Sequence, residues 1–242
     1  MRFRQLQPLP ILAGVLIVSL GAAFFGTRVG RDSLVDSPTP TSADSALAEL
    51  RAGNSRYASS HRTRSNDTRH DAELRRRLAA GQHPFAAILC CSDSRLCPAF
   101  IFDQHPGSIF EIRNAGNVVE DDALASLEYA VEHLHVPFVL VLGHKGCGAI
   151  EAVFEAGDRP LHDNLRDLQE RMKGIRPRVL ASNRKSTPDA LNALAKDNAQ
   201  EQAKTLLKES EPISAAVSRK EVRLMFGMYD METGEVEYFD LP

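Results

Sequence analysis

The sequence predicts an α/β fold: a central, mainly parallel β-sheet flanked by helices, with helices before it and a strand pair after it. Three observations carry this. Short continuous apolar runs, FAAILCC at Phe85–Cys91 and PFVLVLGH at Pro137–His144, are bounded by proline and polar residues, as strands buried on both faces are. Amphipathic helical stretches alternate with these runs, as crossover connections between parallel strands require. Near the end, EVRLMFGMYDMETGEVEYFD reads as two strands joined through METGE, where Gly234 suits the turn.

The elements follow in order. Arg2 and Arg4 precede an apolar run from Ile11 to Gly26, and Gly21-Ala22-Ala23 are small. This pattern predicts a signal peptide or an uncleaved signal anchor over residues 1–30. The rest is then exported to the periplasm or another extracytoplasmic space, either soluble after cleavage or tethered by an N-terminal membrane anchor. Residues 31–44, RDSLVDSPTPTSAD, have the composition of a flexible linker. An ordered domain is expected over residues 45–242. Its first helix, SALAELRAGNSRYASS, has Leu47, Leu50 and Tyr57 at roughly helical spacing and Asp44 or Ser45 as cap. A second helix runs from Asp71 to a stop at Gly81. Strands at Phe85–Cys91, Ser108–Asn114 and Pro137–His144 alternate with helices at Asp122–Leu134 and GAIEAVFEAG. Residues from Leu161 to Lys208 read as helical, broken at Ser186-Thr187-Pro188.

Bulk properties narrow the function. The 242 residues suffice to bury a sizeable core, and a net charge of −3 gives no case for a nucleic-acid partner. Arg75-Arg76-Arg77 reads as a solvated helix face. Four cysteines are too sparse for a disulfide-stapled domain, so their positions must explain them.

Ligands of open α/β sheets collect at the carboxyl ends of strands. The first buried strand delivers Cys91, Asp93 and Arg95 there, and the third delivers His144, Gly146, Cys147 and Gly148. Two thiolates and one imidazole form the ligand set of a catalytic zinc site with an open fourth position. That donor set suits zinc better than copper, and too few cysteines exist for an iron–sulfur cluster. Gly146 and Gly148 would let the backbone approach closely. Asp93 can pair with Arg95 by a bidentate ion pair and accept a hydrogen bond from zinc-bound water, or, released, fill the fourth position. On spacing alone the same two residues equally suit a surface pair capping the next helix. Cys90 should point away from Cys91 into the core, whereas Cys97 could lie near the site.

CSDSR at Cys91–Arg95, followed by HKGCGA from His144, resembles the β-class carbonic anhydrases. The similarity extends from Ala46 to Leu241 and includes AELRAGNSRY, IFEIRNAGN and GMYDMETGEVEYF. It implies one zinc ion per chain held by Cys91, His144 and Cys147, with Asp93 and Arg95 as the catalytic dyad. Asp93 would be a fourth ligand in a closed state. It places Gln82, Phe110, Tyr129 and Gly148 in the substrate pocket. It includes a Cys-Pro pair matched by Cys97-Pro98, which implies packing rather than ligation for Cys97. The implied activity is reversible hydration of carbon dioxide to bicarbonate and a proton by zinc-bound hydroxide, in a homodimer or larger homo-oligomer. Hydrolysis of carbonyl sulfide or carbon disulfide on the same scaffold, or a zinc-stabilised binding protein without turnover, are the alternatives. A thiol redox protein would want a Cys-x-x-Cys pair, which is absent. Family members switched by bicarbonate use a Trp where this chain has Ile88, although Arg113 keeps its arginine. His83 and His105 are the candidate proton shuttles, both expected in solvated loops.

Overall fold

The computed structural model describes residues 39–64, 71–175 and 187–242. The predicted signal segment and most of the linker lie outside the described residues. Among the described residues, no helix is long and apolar enough to cross a membrane.

Helix α1 (Ala43–Ala58) starts two residues before the expected boundary, and its cap is Ser42 rather than Asp44 or Ser45. Ser42 Oγ accepts from the Ser45 N–H at 3.2 Å, and Ser45 Oγ accepts from the Ser42 N–H at 3.1 Å. This reciprocal capping box satisfies two amides at once, which neither Asp44 nor Ser45 alone would do. Asp44 sits instead in the first turn, where its charge complements the helix dipole. Helix α2 (Asp71–Leu78) ends before Gly81.

The sheet has the order β2-β1-β3-β4-β5. Strands β1 (Ala86–Cys91), β2 (Ile109–Asn114), β3 (Phe138–His144) and β4 (Arg223–Tyr229) are parallel, and β5 (Val236–Asp240) runs antiparallel to β4. This is the predicted architecture. Every residue of β1 and β3 is buried, which is why their sequences read as unbroken apolar runs. The edge strands β2 and β5 are only partly covered.

Further helices lie in the crossovers. They are α3 (Pro98–Ile101) before β2, α4 (Asp121–Glu132) before β3, and α5 (Gly148–Ala156) and α6 (Leu165–Arg171) after β3. The expected break at Ser186-Thr187-Pro188 lies partly outside the described residues, and Thr187 and Pro188 begin α7 (Pro188–Glu209). Thr187 Oγ1 accepts from the Ala190 N–H, and Pro188 occupies the first turn. Helix α8 (Glu211–Ser218), capped by Ser210, has no counterpart in the sequence reading. It packs on α4 and α7 through Ile213 and Ala216. The core gathers Leu50, Ile88, Phe102, Leu127, Phe138 and Leu140, all essentially without exposure. Each such side chain contributes about 1.5–3 kcal/mol through burial.

Candidate metal centre

Strands β1 and β3 are neighbours, with Cys90 opposite Leu142, so their last residues Cys91 and His144 emerge side by side. The chain then turns through Lys145 and Gly146 and returns at Cys147, the N-cap of α5. Gly146 has φ +63, a left-handed conformation that favours glycine. Gly148 needs no such freedom: a Cβ there would meet nothing within 4 Å, so it borders open space.

The ligand atoms of Cys91, His144 and Cys147 all lie within 4.8 Å of one another, and all three residues are buried. His144 Nδ1 is 2.9 Å from the Lys145 carbonyl oxygen, a contact that puts the proton on Nδ1 and leaves a lone pair on Nε2. That Nε2 is buried and has no hydrogen-bond partner among the described residues. The Cys91 sulfur accepts from the N–H groups of Asp93 and Gly116, each at 3.4 Å. A hydrogen bond from Cys147 lowers the Cys91 thiol to about 4, with His144 and the two amides assisting against desolvation. The same pairing, with burial, pushes the Cys147 thiol up, although amides at the start of α5 oppose the rise. The contact between the two sulfurs therefore favours the ionised form at Cys91 and disfavours it at Cys147. An orphaned imidazole nitrogen beside two buried sulfurs fits a borderline-soft cation such as zinc.

Beside the cluster, Asp93 and Arg95 form the predicted bidentate pair. Arg95 Nε donates to Asp93 Oδ1 at 2.9 Å and Nη2 to Oδ2 at 2.7 Å, with the Arg95 N–H adding a bond to Oδ1 at 3.0 Å. These donors hold the Asp93 carboxyl well below the usual carboxylate range. Arg95 also reaches the Gly146 carbonyl at 3.2 Å, tying the β1 loop to the β3 loop. Asp93 is not one of the converging ligand atoms. Nor does it cap the next helix: the Ala99 N–H at the start of α3 is taken by Glu111 Oε1 at 2.8 Å. Arg113 donates to the Asp93 carbonyl at 2.9 Å, so Glu111 and Arg113, both on β2, hold opposite ends of the Asp93 loop.

Other expected residues lie elsewhere. Phe110 is opposite Ala87, four positions before Asn114, which pairs with Cys91. At roughly 3.3 Å per residue this is about 13 Å along the strand from the ligand end. Tyr129 lies against Phe110, with ring centroids 6.1 Å apart, and is 45% exposed. Gln82 is exposed in the segment leading into β1. Within one chain, then, Gly148 adjoins the cluster while Gln82, Phe110 and Tyr129 do not. His83 and His105 also precede β1 and β2, at the sheet edge opposite the cluster. His83 is exposed as expected, but His105 is not simply solvated, since its Nε2 is buried and unpartnered among the described residues. Ile88 is fully buried in β1.

All four cysteines are free thiols. Cys90 is fully buried and its thiol is pushed up to about 12 by that burial, as suits a small core residue. Cys97 is exposed, contrary to the packing role expected for it, because it stands outside α3 as that helix's N-cap.

Sequence reasoning missed a layer of amides behind the cluster. Asn198 Nδ2 donates to the Gly116 carbonyl at 2.8 Å, Gln202 Oε1 accepts from the Val119 N–H at 2.7 Å, and Asn192 Oδ1 accepts from the Gly146 N–H at 3.0 Å. Asn198 and Gln202 share the α7 face of Leu194, Ala195, Ala199, Ala203 and Leu206, all buried. Polar residues on an apolar helical stripe were the available signal.

The comparisons with known proteins agree with this geometry. A carbonic anhydrase family model matches residues 86–236. Carbonic anhydrase 2 of Mycobacterium tuberculosis is 34% identical over 191 residues, covering 78% of this chain and 89% of that protein. The β-carbonic anhydrase CafA of Aspergillus fumigatus superposes with a TM-score of 0.65 at 28% identity, covering 81% of this chain and 90% of CafA. A Coccomyxa β-carbonic anhydrase, solved in complex with acetazolamide, gives a TM-score of 0.62 at 25% identity, covering 81% of this chain and 88% of that one. With the Cys-His-Cys cluster at the ends of β1 and β3 and the match running through the sheet, the chain belongs to the β-class carbonic anhydrase family.

Proposed function

We propose that the protein reversibly hydrates carbon dioxide to bicarbonate and a proton, using one zinc ion held by Cys91, His144 and Cys147. The observation that carries this is the convergence of three buried N/S donors beside a carboxylate kept ionised by Arg95. Bound zinc supplies Lewis acidity that makes a water nucleophilic near neutral pH, as carbonic anhydrases with three histidine ligands illustrate.

The chain's own groups do the rest. Asp93, ionised and fixed at both oxygens, accepts a hydrogen bond from the attacking water and so directs its free lone pair at the substrate. Arg95 keeps Asp93 in that state and out of the ligand set. We assign the Gly148 N–H to the substrate side of the site as an oxyanion donor, a role supported by its place at the first residue of α5, where the helix dipole favours an anion. Gln82, Phe110 and Tyr129 lie far from their own cluster, so we assign them to the pocket of a second copy in a homodimer or larger assembly. The N-terminal apolar run supports export, and N-terminal sequencing of protein from cells tests whether it is cleaved.

Purified protein is expected to contain about one zinc per chain and to hydrate carbon dioxide in stopped-flow assays, with inhibition by acetazolamide. Asp93→Ala should lower the rate by about 10²- to 10⁴-fold, the range for a positioned proton-handling group. Zinc-loaded, folded protein without hydration at any pH overturns the enzyme reading in favour of a binding protein. Hydrolysis of carbonyl sulfide or carbon disulfide in place of hydration identifies the other chemistry.

A further inference from the structure

The Cys91 sulfur is reached by a hydrogen bond whose donor comes from a distant part of the chain. Gly116 lies in the 3-10 turn Ala115–Asn117 after β2, with φ +70, and its N–H points at Cys91 Sγ. A Cβ at Gly116 would come within 2.1 Å of Met172, so the turn is pressed from outside as well. From inside it is held by α7. Asn198 is 0% and Gln202 2% exposed. Asn198 donates to the Gly116 carbonyl, Gln202 accepts from the Val119 N–H, and Gln202 Nε2 donates to Asn198 Oδ1 at 3.2 Å and to the Arg171 carbonyl at 3.1 Å. The two amides thus form a joined ladder, with three of their contacts on backbone groups of the surrounding turns.

Burying two primary amides in an apolar helix face is costly unless they are hydrogen-bonded. Apolar side chains would hold α7 against the sheet without that cost. What an amide adds is direction: it fixes the orientation of the peptide plane it bonds. The Gly116 carbonyl and N–H flank one α-carbon, so orienting that residue orients the donor on Cys91.

We propose that Asn198 and Gln202 are positioning residues of the metal centre, keeping the Gly116 N–H on the Cys91 sulfur and so reducing the negative charge that this ligand presents to a metal. This rests on the metal-centre reading above. A hydrogen bond to a ligating thiolate draws electron density from it, and outer-shell partners of this kind tune both affinity and metal electronics. A metal held by two thiolates and one imidazole is electron-rich, so this bond bears on its Lewis acidity.

The test uses cobalt(II), whose thiolate-to-metal charge-transfer band reports sulfur charge directly. The full chain, Asn198→Ala, Gln202→Leu and a packing control, Leu194→Ala on the same helix, are compared. Cobalt dissociation constants, band position and metal-free melting temperature are measured for each. Asn198→Ala and Gln202→Leu are expected to move the band to longer wavelength and weaken cobalt binding by roughly tenfold, the lower end for outer-shell changes. Leu194→Ala should lower the melting temperature and leave the band in place. If Asn198→Ala does not fold, Gln202→Leu and Asn198→Ser carry the same prediction. Folded variants with wild-type band and affinity overturn the proposal, as does a band shift in Leu194→Ala equal to theirs. A wild-type chain that gives no cobalt–thiolate band removes the metal-centre reading itself, a separate and visible failure.

Discussion

The two ends of the parallel sheet differ in what a single chain completes. At the carboxyl end, Cys91, His144, Cys147, Asp93 and Arg95 meet within one protomer, buried or mutually bonded. At the amino end, Gln82 and Tyr129 are exposed and Phe110 is half-buried, and none of them touches the Cys-His-Cys cluster of the same chain. The carboxyl end is a finished centre because β1 and β3, adjacent and parallel, end side by side, and the short loops after them bring Cys147, Asp93 and Arg95 to the same place. The amino end has only shape and apolar surface to offer, and those acquire a role when something else is brought against them.

The largest effect should come from the finished end. Cys91→Ala is expected to abolish metal binding and hydration together, and metal analysis of folded protein with retained activity would break the contrast outright. Arg95→Gln comes next. Asp93 has a folded pKa depressed by Arg95, so its favourable charge is present above the usual carboxylate pKa and is lost as pH falls through the folded value. Removing Arg95 returns Asp93 towards ordinary titration. The rate should then fall by about 10- to 100-fold, with an acid limb displaced to higher pH in the rate profile. Phe110→Ala and Tyr129→Ala should act more weakly, lowering kcat/KM severalfold and the assembled mass while leaving zinc content unchanged. Loss of zinc in either variant would erase the distinction between the two ends. The smallest effect belongs to Cys97→Ser, expected to be silent in activity. In wild-type protein a thiol label should modify Cys97 and spare Cys90 at neutral pH, as mass spectrometry of the peptides can check.

The fold was legible where burial shaped the sequence. Phe85–Cys91 and Pro137–His144 are apolar throughout because neither face of β1 or β3 meets solvent, and the ligand motifs follow them directly. Local chemistry was legible too, since Asp93 and Arg95 are close enough in sequence to pair whatever the rest of the chain does. What sequence could not supply depended on distant contacts. Ser42 caps α1 only because Ser45 reciprocates, and α8 is short enough that its contacts with α4 and α7 decide it. Asn198 and Gln202 look like ordinary polar helix residues until α7 is laid against the turn after β2. Cys97 shows the reverse error: standing before Pro98 did not make it part of the interior.

The strand that flanks the unfinished end also grips the finished one. Glu111 and Arg113 alternate with Phe110 and Ile112 along β2, and their bonds to Ala99 and Asp93 clasp the loop on either side of Arg95. Among the described residues β2 is an edge strand, with no neighbour on its outer side in the sheet. The border of the sheet that lies open beyond β2 is therefore one hydrogen bond away from the backbone of Asp93.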